Sequence, residues 1–447
     1  MFSHATRTVR ITNIGNDVSK DAISAYAEAL CESQRRKKLL GVFPLPSNNS
    51  KPVVSLAPQS GQQTATITFP SKKLKPQDSK THRDWSVDDT FDGLTMLFQA
   101  SAPVLDICAV HGLNGNAFDT FAWEGGQSWL RDFLPSNPLF ERSRVMTYGY
   151  SSLITDNSNT AEVEEWASGL LREVSSARTL SQERSRPTIF VCHSLGGLIA
   201  REAMVELNRD VSQRKSRLYD GLDPSLCGLL FMATPHSGSL MGVWNDYLIQ
   251  LAQLTGLRAR EFSQVLGAFN RSSRISKRDF ELLDPPIPYE CLYETRKMRV
   301  GFKEAIIVTA DAAGLNSVTA EPMSDVDHTQ ICRFPRPTHP GYNQVCKCLL
   351  RIQEKIVNTG PAKENQSPSS DQSRLLSASD TVEQGRSSFR PTVLQGGKGT
   401  GGTVSWDGTS FDVGGGSAEG GSLTMGDNKN FRGTAGGGTG LGGNVKM

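Results

Sequence analysis

The sequence predicts an α/β protein, a mostly parallel central sheet with helices packed on both of its faces. Three observations predict it. From about residue 92 to residue 310, short uninterrupted apolar runs alternate with stretches whose apolar residues recur at helical spacing, as expected of strands buried on both faces and joined by helices. One run, Thr188 to Val191, breaks off at Cys192-His193-Ser194-Leu195-Gly196-Gly197, and a helical pattern from Leu198 to Leu207 follows at once, so a strand turns sharply into a helix around a serine. Another run, Val104 to Val110, ends in His111-Gly112-Leu113-Asn114-Gly115, a second small-residue turn at the carboxyl end of a strand, where functional groups of such sheets gather.

In chain order, residues 1–75 carry a pattern of their own. Thr8-Val9-Arg10-Ile11 reads as a strand, Ser19 caps a helix to about Gln34, and Ala65 to Phe69 alternates as a strand, giving a small β-α-β-β accessory module. Its order is similar to ferredoxin-like and RNA-recognition modules, but no aromatic, glycine-flanked strand of the base-stacking kind is present, so no nucleic-acid partner is expected. Residues 76–90, rich in Lys, Pro, Ser and Asp, read as a linker.

Residues 91–358 form the α/β domain. Its strands are read at Val104–Val110, Val145–Tyr148, 188–191, Gly228–Ala233, Tyr289–Tyr293 and Ala305–Thr309, with a helix at Ala161–Val174. An insertion at about 239–286 places Leu240, Trp244, Tyr247, Leu248, Leu251 and Leu254 on one helix face, as a helical cap over the site or, in a sharper form, a lid that meets a lipid surface. Residues 359–447 lose the pattern: they are first Ser, Gln and Pro rich, and then 19 glycines fall between 396 and 443. So little apolar surface does not offset the entropy of ordering, which predicts a disordered tail, passive or docking on a protein partner.

The charge balance of the 447 residues is +2, which excludes a polyanion partner chosen by net charge. The run Arg35-Arg36-Lys37-Lys38 is the local exception and reads as a solvated helix end. Eight cysteines lie without regular spacing, several inside apolar runs (Cys108, Cys192, Cys227), as buried free thiols of an intracellular, reducing compartment do. Cys346 and Cys348 have no ligand cluster around them, so no metal is expected. No apolar stretch approaches the roughly 20 residues of a spanning helix, which points to a cytoplasmic or peripherally membrane-associated protein. Arg7 and Arg10, with no acid between Met1 and Arg10, leave a mitochondrial presequence open.

A serine hydroxyl becomes a nucleophile when a base takes its proton and an acid holds that base. With Ser194 on the elbow, the partners follow in chain order, first an acid at the end of a later strand and then a histidine. Glu294 stands directly after Cys291-Leu292-Tyr293, and His328 lies in a polar loop beyond the next strand. Asp311, at the end of that next strand, is the rival acid; Asp325 and Asp327 shape the histidine loop. The N–H groups of Leu113 and Leu195 are the oxyanion donors. His111, Gly112 and His236 line the pocket, with His111 bonded inside its own loop, and the side chain of His193 points away from Ser194 into the sheet. No organic cofactor is required. Cys192 stands where the usual Gly-x-Ser-x-Gly elbow has its first glycine.

His-Gly-Leu at 111–113, Tyr-Gly-Tyr at 148–150, Cys-His-Ser-Leu-Gly-Gly at 192–197, Ala-Thr-Pro-His-Ser-Gly at 233–238, Tyr-Glu at 293–294 and Asp-His at 327–328 together resemble the serine active site-containing esterases, lipase-like members of the α/β-hydrolase group. That group is similar to the hydrolase domains of fungal nucleotide-binding receptor proteins and to lipid-remodelling deacylases. The resemblance covers about Asp89 to Leu350 and implies the α/β-hydrolase fold and an esterase or phospholipase-type activity on an ester or lipid substrate. It also implies an alternative, a catalytically silent interaction or signalling module of the fungal cell-death or incompatibility type, acting through the Gly-rich tail.

Overall fold

The computed structural model describes residues 6–39, 51–71, 84–113, 115–151, 160–213, 217–236, 246, 276–300, 303–315, 318–359, 423–424 and 445–446. Two compact units divide the chain, Met1–Lys363 and Glu364–Met447. In the second, the strands Leu423–Thr424 and Val445–Lys446 pair in parallel; the rest of the expected tail lies outside the described residues, as does the expected cap apart from residues 246 and 276–286.

The first unit begins with β1 (Arg7–Ile14), α1 (Lys20–Leu39), β2 (Val53–Gln59) and β3 (Gln62–Phe69), the β-α-β-β order read from the sequence. Ser19 Oγ accepts the Ala22 N–H at 3.2 Å, the capping bond that starts a helix there. The expected linker contains structure, because its residues Ser86–Asp88 form β4, antiparallel to β1. Ile11, Ile67, Phe69, Ile23 and Ala27 make this module's core.

The large sheet is built from β5 (Gly93–Gln99), β6 (Leu105–Val110), β7 (Ser143–Gly149), β8 (Thr188–His193), β9 (Cys227–Met232), β10 (Tyr289–Glu294) and β11 (Glu321–Met323). Its seven strands stand in the order β11-β10-β9-β8-β6-β7-β5. Neighbours from β11 to β7 are parallel, and β5 alone is antiparallel. The helices are α2 (Thr160–Ser176), α3 (Leu195–Gln213) and α4 (Pro340–Thr359). This is the α/β-hydrolase fold.

The pleat divides the apolar runs between two cores. Ile107, Ala109, Ile189, Val191, Leu230 and Met232 face one core, closed by Val345, Leu349, Ile352 and Ile356 of α4. Phe190, Cys192, Leu229 and Phe231 face the other, closed by α2 and α3. Period-2 alternation with both faces covered explains why the middle of each of these strands is apolar, Ile107 to Val110, Ile189 to Cys192 and Leu229 to Met232. The sequence placed a sheet strand at Ala305–Thr309. Instead, Lys303–Ala305 pairs with Met298–Val300 in a separate antiparallel hairpin, and Glu321–Met323 takes the sheet edge.

The accessory module closes the other edge. The Gln59 side-chain amide donates to Leu94 O at 2.8 Å and accepts Met96 N–H at 3.1 Å, so it pairs with the main chain of β5 as a strand would. Arg10 reaches Thr95 Oγ1 at 2.9 Å, and Arg131 reaches Thr68 Oγ1 at 2.8 Å.

At the amino end of the parallel strands, Asp106 is fully enclosed by three arginines. Its carboxylate accepts from Arg144 at 2.6 Å, from Arg186 at 2.7 Å and from Arg178. Arg178 also donates to Thr188 Oγ1, Gly221 O and Arg186 O, so each buried charge has a partner. All eight cysteines are free and buried.

Candidate active site

Ser194 follows the last residue of β8 and precedes the first of α3. Its φ is +55°, a left-handed conformation that costs a non-glycine residue energy and recurs at functional turns. Its N–H is held by Met232 O at 3.0 Å, and its own carbonyl accepts Gly197 N–H at 3.0 Å. Small neighbours are required here: a methyl group on Gly196 would run into the main-chain oxygens of Val110 and His111. Cys192 fits where the usual motif has glycine because its side chain lies in the core shared with Cys108 and Phe190.

His328 Nε2 stands 3.0 Å from Ser194 Oγ. His328 Nδ1 stands 3.4 Å from Glu294 Oε1, and both side chains are fully buried. Glu294 ends β10, and its Oε1 also accepts the Val308 N–H at 2.7 Å, which fixes the carboxylate. A separation of 3.4 Å is long for a hydrogen bond, as catalytic bonds often are before substrate binds.

The loop that carries the histidine is tied to the loop that carries the acid. Asp327 Oδ1 accepts from the N–H groups of Thr329 and Gln330, and its Oδ2 meets Arg296 at 3.1 Å. The N–H groups of Thr295 and Arg296 bond Val326 O. Asp327 thus shapes the histidine loop, as read from the sequence. Asp311, the rival acid, is exposed on the short helical turn Ala310–Ala313.

Gly112 lies against the elbow. A Cβ there would come within 2.9 Å of both Ser194 Cβ and His193 Nδ1, so glycine lets the turn after β6 approach Ser194. Leu113 is next in that turn. Leu195, the first residue of α3, has no carbonyl one helical turn before it to receive its N–H. His111 uses both ring nitrogens: Nδ1–H donates to Gly112 O at 2.8 Å and Nε2 accepts Tyr150 N–H at 3.2 Å. The Tyr150 hydroxyl returns a bond to His111 O at 2.9 Å, and the two rings stack 4.3 Å apart. Burial lowers the His111 pKa to about 4, so it is neutral and serves its loop.

Two further histidines of the motifs are buried beside the sheet. His236, placed in the pocket lining, packs edge-on to Phe231 at 4.4 Å and accepts from Arg201 Nη1 at 3.2 Å; none of its contacts among the described residues is with Ser194, His328 or Glu294. His193 does not simply point away, because its Nε2 lies 2.8 Å from the main-chain oxygen of His328. Only its place beside Ser194 in the motif could have signalled this.

Residues 105–311 match the family described as "Putative serine esterase (DUF676)". Protein SERAC1 of Danio rerio is 25% identical over 255 residues, which cover 51% of this chain and 36% of that protein. The chain therefore spans about a third of the length of that curated relative. Among solved structures, esterase B from Lactobacillus rhamnosis is 11% identical, covering 76% of this chain and 97% of its own, with a TM-score of 0.35. Phospholipase PlaB from Legionella pneumophila is 13% identical, covering 57% of this chain and 62% of its own, with a TM-score of 0.37.

Proposed function

We propose that the protein hydrolyses carboxylic esters through Ser194, His328 and Glu294, a reading supported by the match of residues 105–311 to a putative serine esterase family. One observation carries the reading, the buried relay in which Ser194 Oγ, His328 and Glu294 follow one another at 3.0 and 3.4 Å. His328 Nε2 takes the Ser194 proton as Oγ attacks the ester carbonyl carbon. Glu294 holds the Nδ1–H tautomer and stabilises the imidazolium that forms. The negative oxygen of the tetrahedral intermediate is received by the N–H groups of Leu195 and Leu113, the first at the positive end of α3.

Collapse of that intermediate breaks the ester C–O bond, and the leaving alcohol departs with the proton from His328. Water then gives a proton to His328 and attacks the acyl carbon, and the proton returns to Ser194 Oγ as the acid leaves. Each step uses groups of this chain. The substrate we propose is a lipid or phospholipid ester. The apolar residues Leu240, Trp244, Leu248 and Leu251, which recur at helical spacing in the sequence, support an acyl substrate and a peripheral contact with a membrane.

The test is to incubate the protein and its Ser194→Ala variant with a fluorophosphonate probe and with p-nitrophenyl butyrate and palmitate. Labelling and turnover in the parent and neither in the variant is the expected result; preference for palmitate supports the lipid assignment. A folded parent that neither labels nor turns over either ester would leave the silent interaction module as the better reading.

A further inference from the structure

The relay leaves the enclosed His193 without a task. His193 is 8% exposed and stands directly before the nucleophile. Its Nε2 is 2.8 Å from His328 O, and because a carbonyl oxygen only accepts, Nε2 must carry the proton. Burial and the neighbouring His328 lower its pKa well below the usual histidine value, so the ring is neutral and Nδ1 is a bare acceptor. Nδ1 faces Gly112, where an added Cβ would lie 2.9 Å away. The His193 and His328 rings are centred 5.1 Å apart.

One imidazole therefore touches all three parts of the site. It is covalently next to Ser194, donates to the main chain of the residue carrying the base, and packs on the turn that carries Leu113. The bond to His328 O spans 135 residues of chain, so it joins a loop to the elbow strand that the local sequence of neither one holds together. We propose that His193 is a positioning residue, which fixes the main chain of His328, and through it the imidazole, in register with Ser194. This rests on the Ser194–His328–Glu294 reading above.

His193→Phe keeps a ring of similar size and removes the donor, whereas His193→Gln places an amide N–H where Nε2–H was. Misplacement of a catalytic group by about 1 Å costs about 100-fold, so His193→Phe should lower kcat by about that factor. KM should stay within about twofold of the parent, and fluorophosphonate labelling should slow in parallel. His193→Gln should recover kcat to within about tenfold of the parent.

A Phe variant with kcat within about threefold of the parent overturns the proposal, and so do Phe and Gln variants that fold and are equally impaired. A measurement on the unaltered protein does not depend on either variant folding. ¹⁵N-imidazole spectra at neutral pH should show His193 as the Nε2–H tautomer, and an Nδ1–H or cationic ring would overturn the bond. Failure of the parent itself to label refutes the hydrolase reading instead, and the spectra still report on His193.

Discussion

The choice of Glu294 as the acid can be tested by replacing it with glutamine, which keeps the shape and removes the charge. Glu294 Oε1 stands 3.4 Å from His328 Nδ1, with both groups fully buried. When Ser194 gives up its proton, a full positive charge forms on that imidazole. At an effective dielectric constant of about 20, opposite charges at this separation attract by about 5 kcal/mol. The attraction arises only once the imidazole has accepted the Ser194 proton, so its loss falls on the transition state.

Each 1.36 kcal/mol is a factor of ten in rate, so Glu294→Gln should lower kcat by about 10³ to 10⁴-fold. The amide also presents a donor or an acceptor to Nδ1 according to its rotamer, which disturbs the tautomer that the relay needs. The assay is steady-state hydrolysis of p-nitrophenyl butyrate, with the fluorophosphonate labelling rate as a second reading and thermal melting as a check of fold. Asp311→Asn serves as the comparison and should stay at parent activity, since Asp311 is exposed. The reasoning is refuted if Glu294→Gln keeps more than about a tenth of parent kcat while Asp311→Asn loses activity.

Three further outcomes are expected. Gly112→Ala should reduce kcat by about 100-fold with little change in the melting curve, because its methyl group would press on Ser194 Cβ and His193 Nδ1; parent-like turnover would show that the turn has room to shift. Asp106→Asn should destabilise the native state by about 3–5 kcal/mol in urea titration, since Arg144, Arg178 and Arg186 would be left buried around a neutral amide. For His111, whose folded pKa is depressed to about 4, the unfolded chain binds the proton first as pH falls below about 6.5. Stability from this residue is full above that pH and is lost as pH falls toward 4. His111→Gln should therefore remove part of the acid-side decline seen between urea titrations at about pH 7 and about pH 4.5.

The sequence by itself determined the parallel sheet and the elbow. Strands covered on both faces must be apolar through their middle, and β6, β8 and β9 are legible for that reason. The elbow is legible because its constraint is local: a strained serine and a helix packed on the strand admit only small neighbours at Gly196 and Gly197. Chain order, which follows from the right-handed crossovers of such sheets, then marks His328.

Tertiary structure decided the rest. Glu294 and Asp311 both follow apolar runs, and only packing puts one inside against His328 and the other in solvent. The edge strands β5 and β11 depend on what pairs with them, Gln59 in one case and β10 in the other, and no local pattern encodes that. Charged residues such as Asp106, Arg144 and Arg178 read as surface from their type, yet they are buried because partners 38 and 72 residues apart neutralise them. His193 and His328 are brought together in the same way, across 135 residues. Local sequence carries the backbone conformation and the apolar period, whereas a bond between distant groups exists only after the sheet has set their distance.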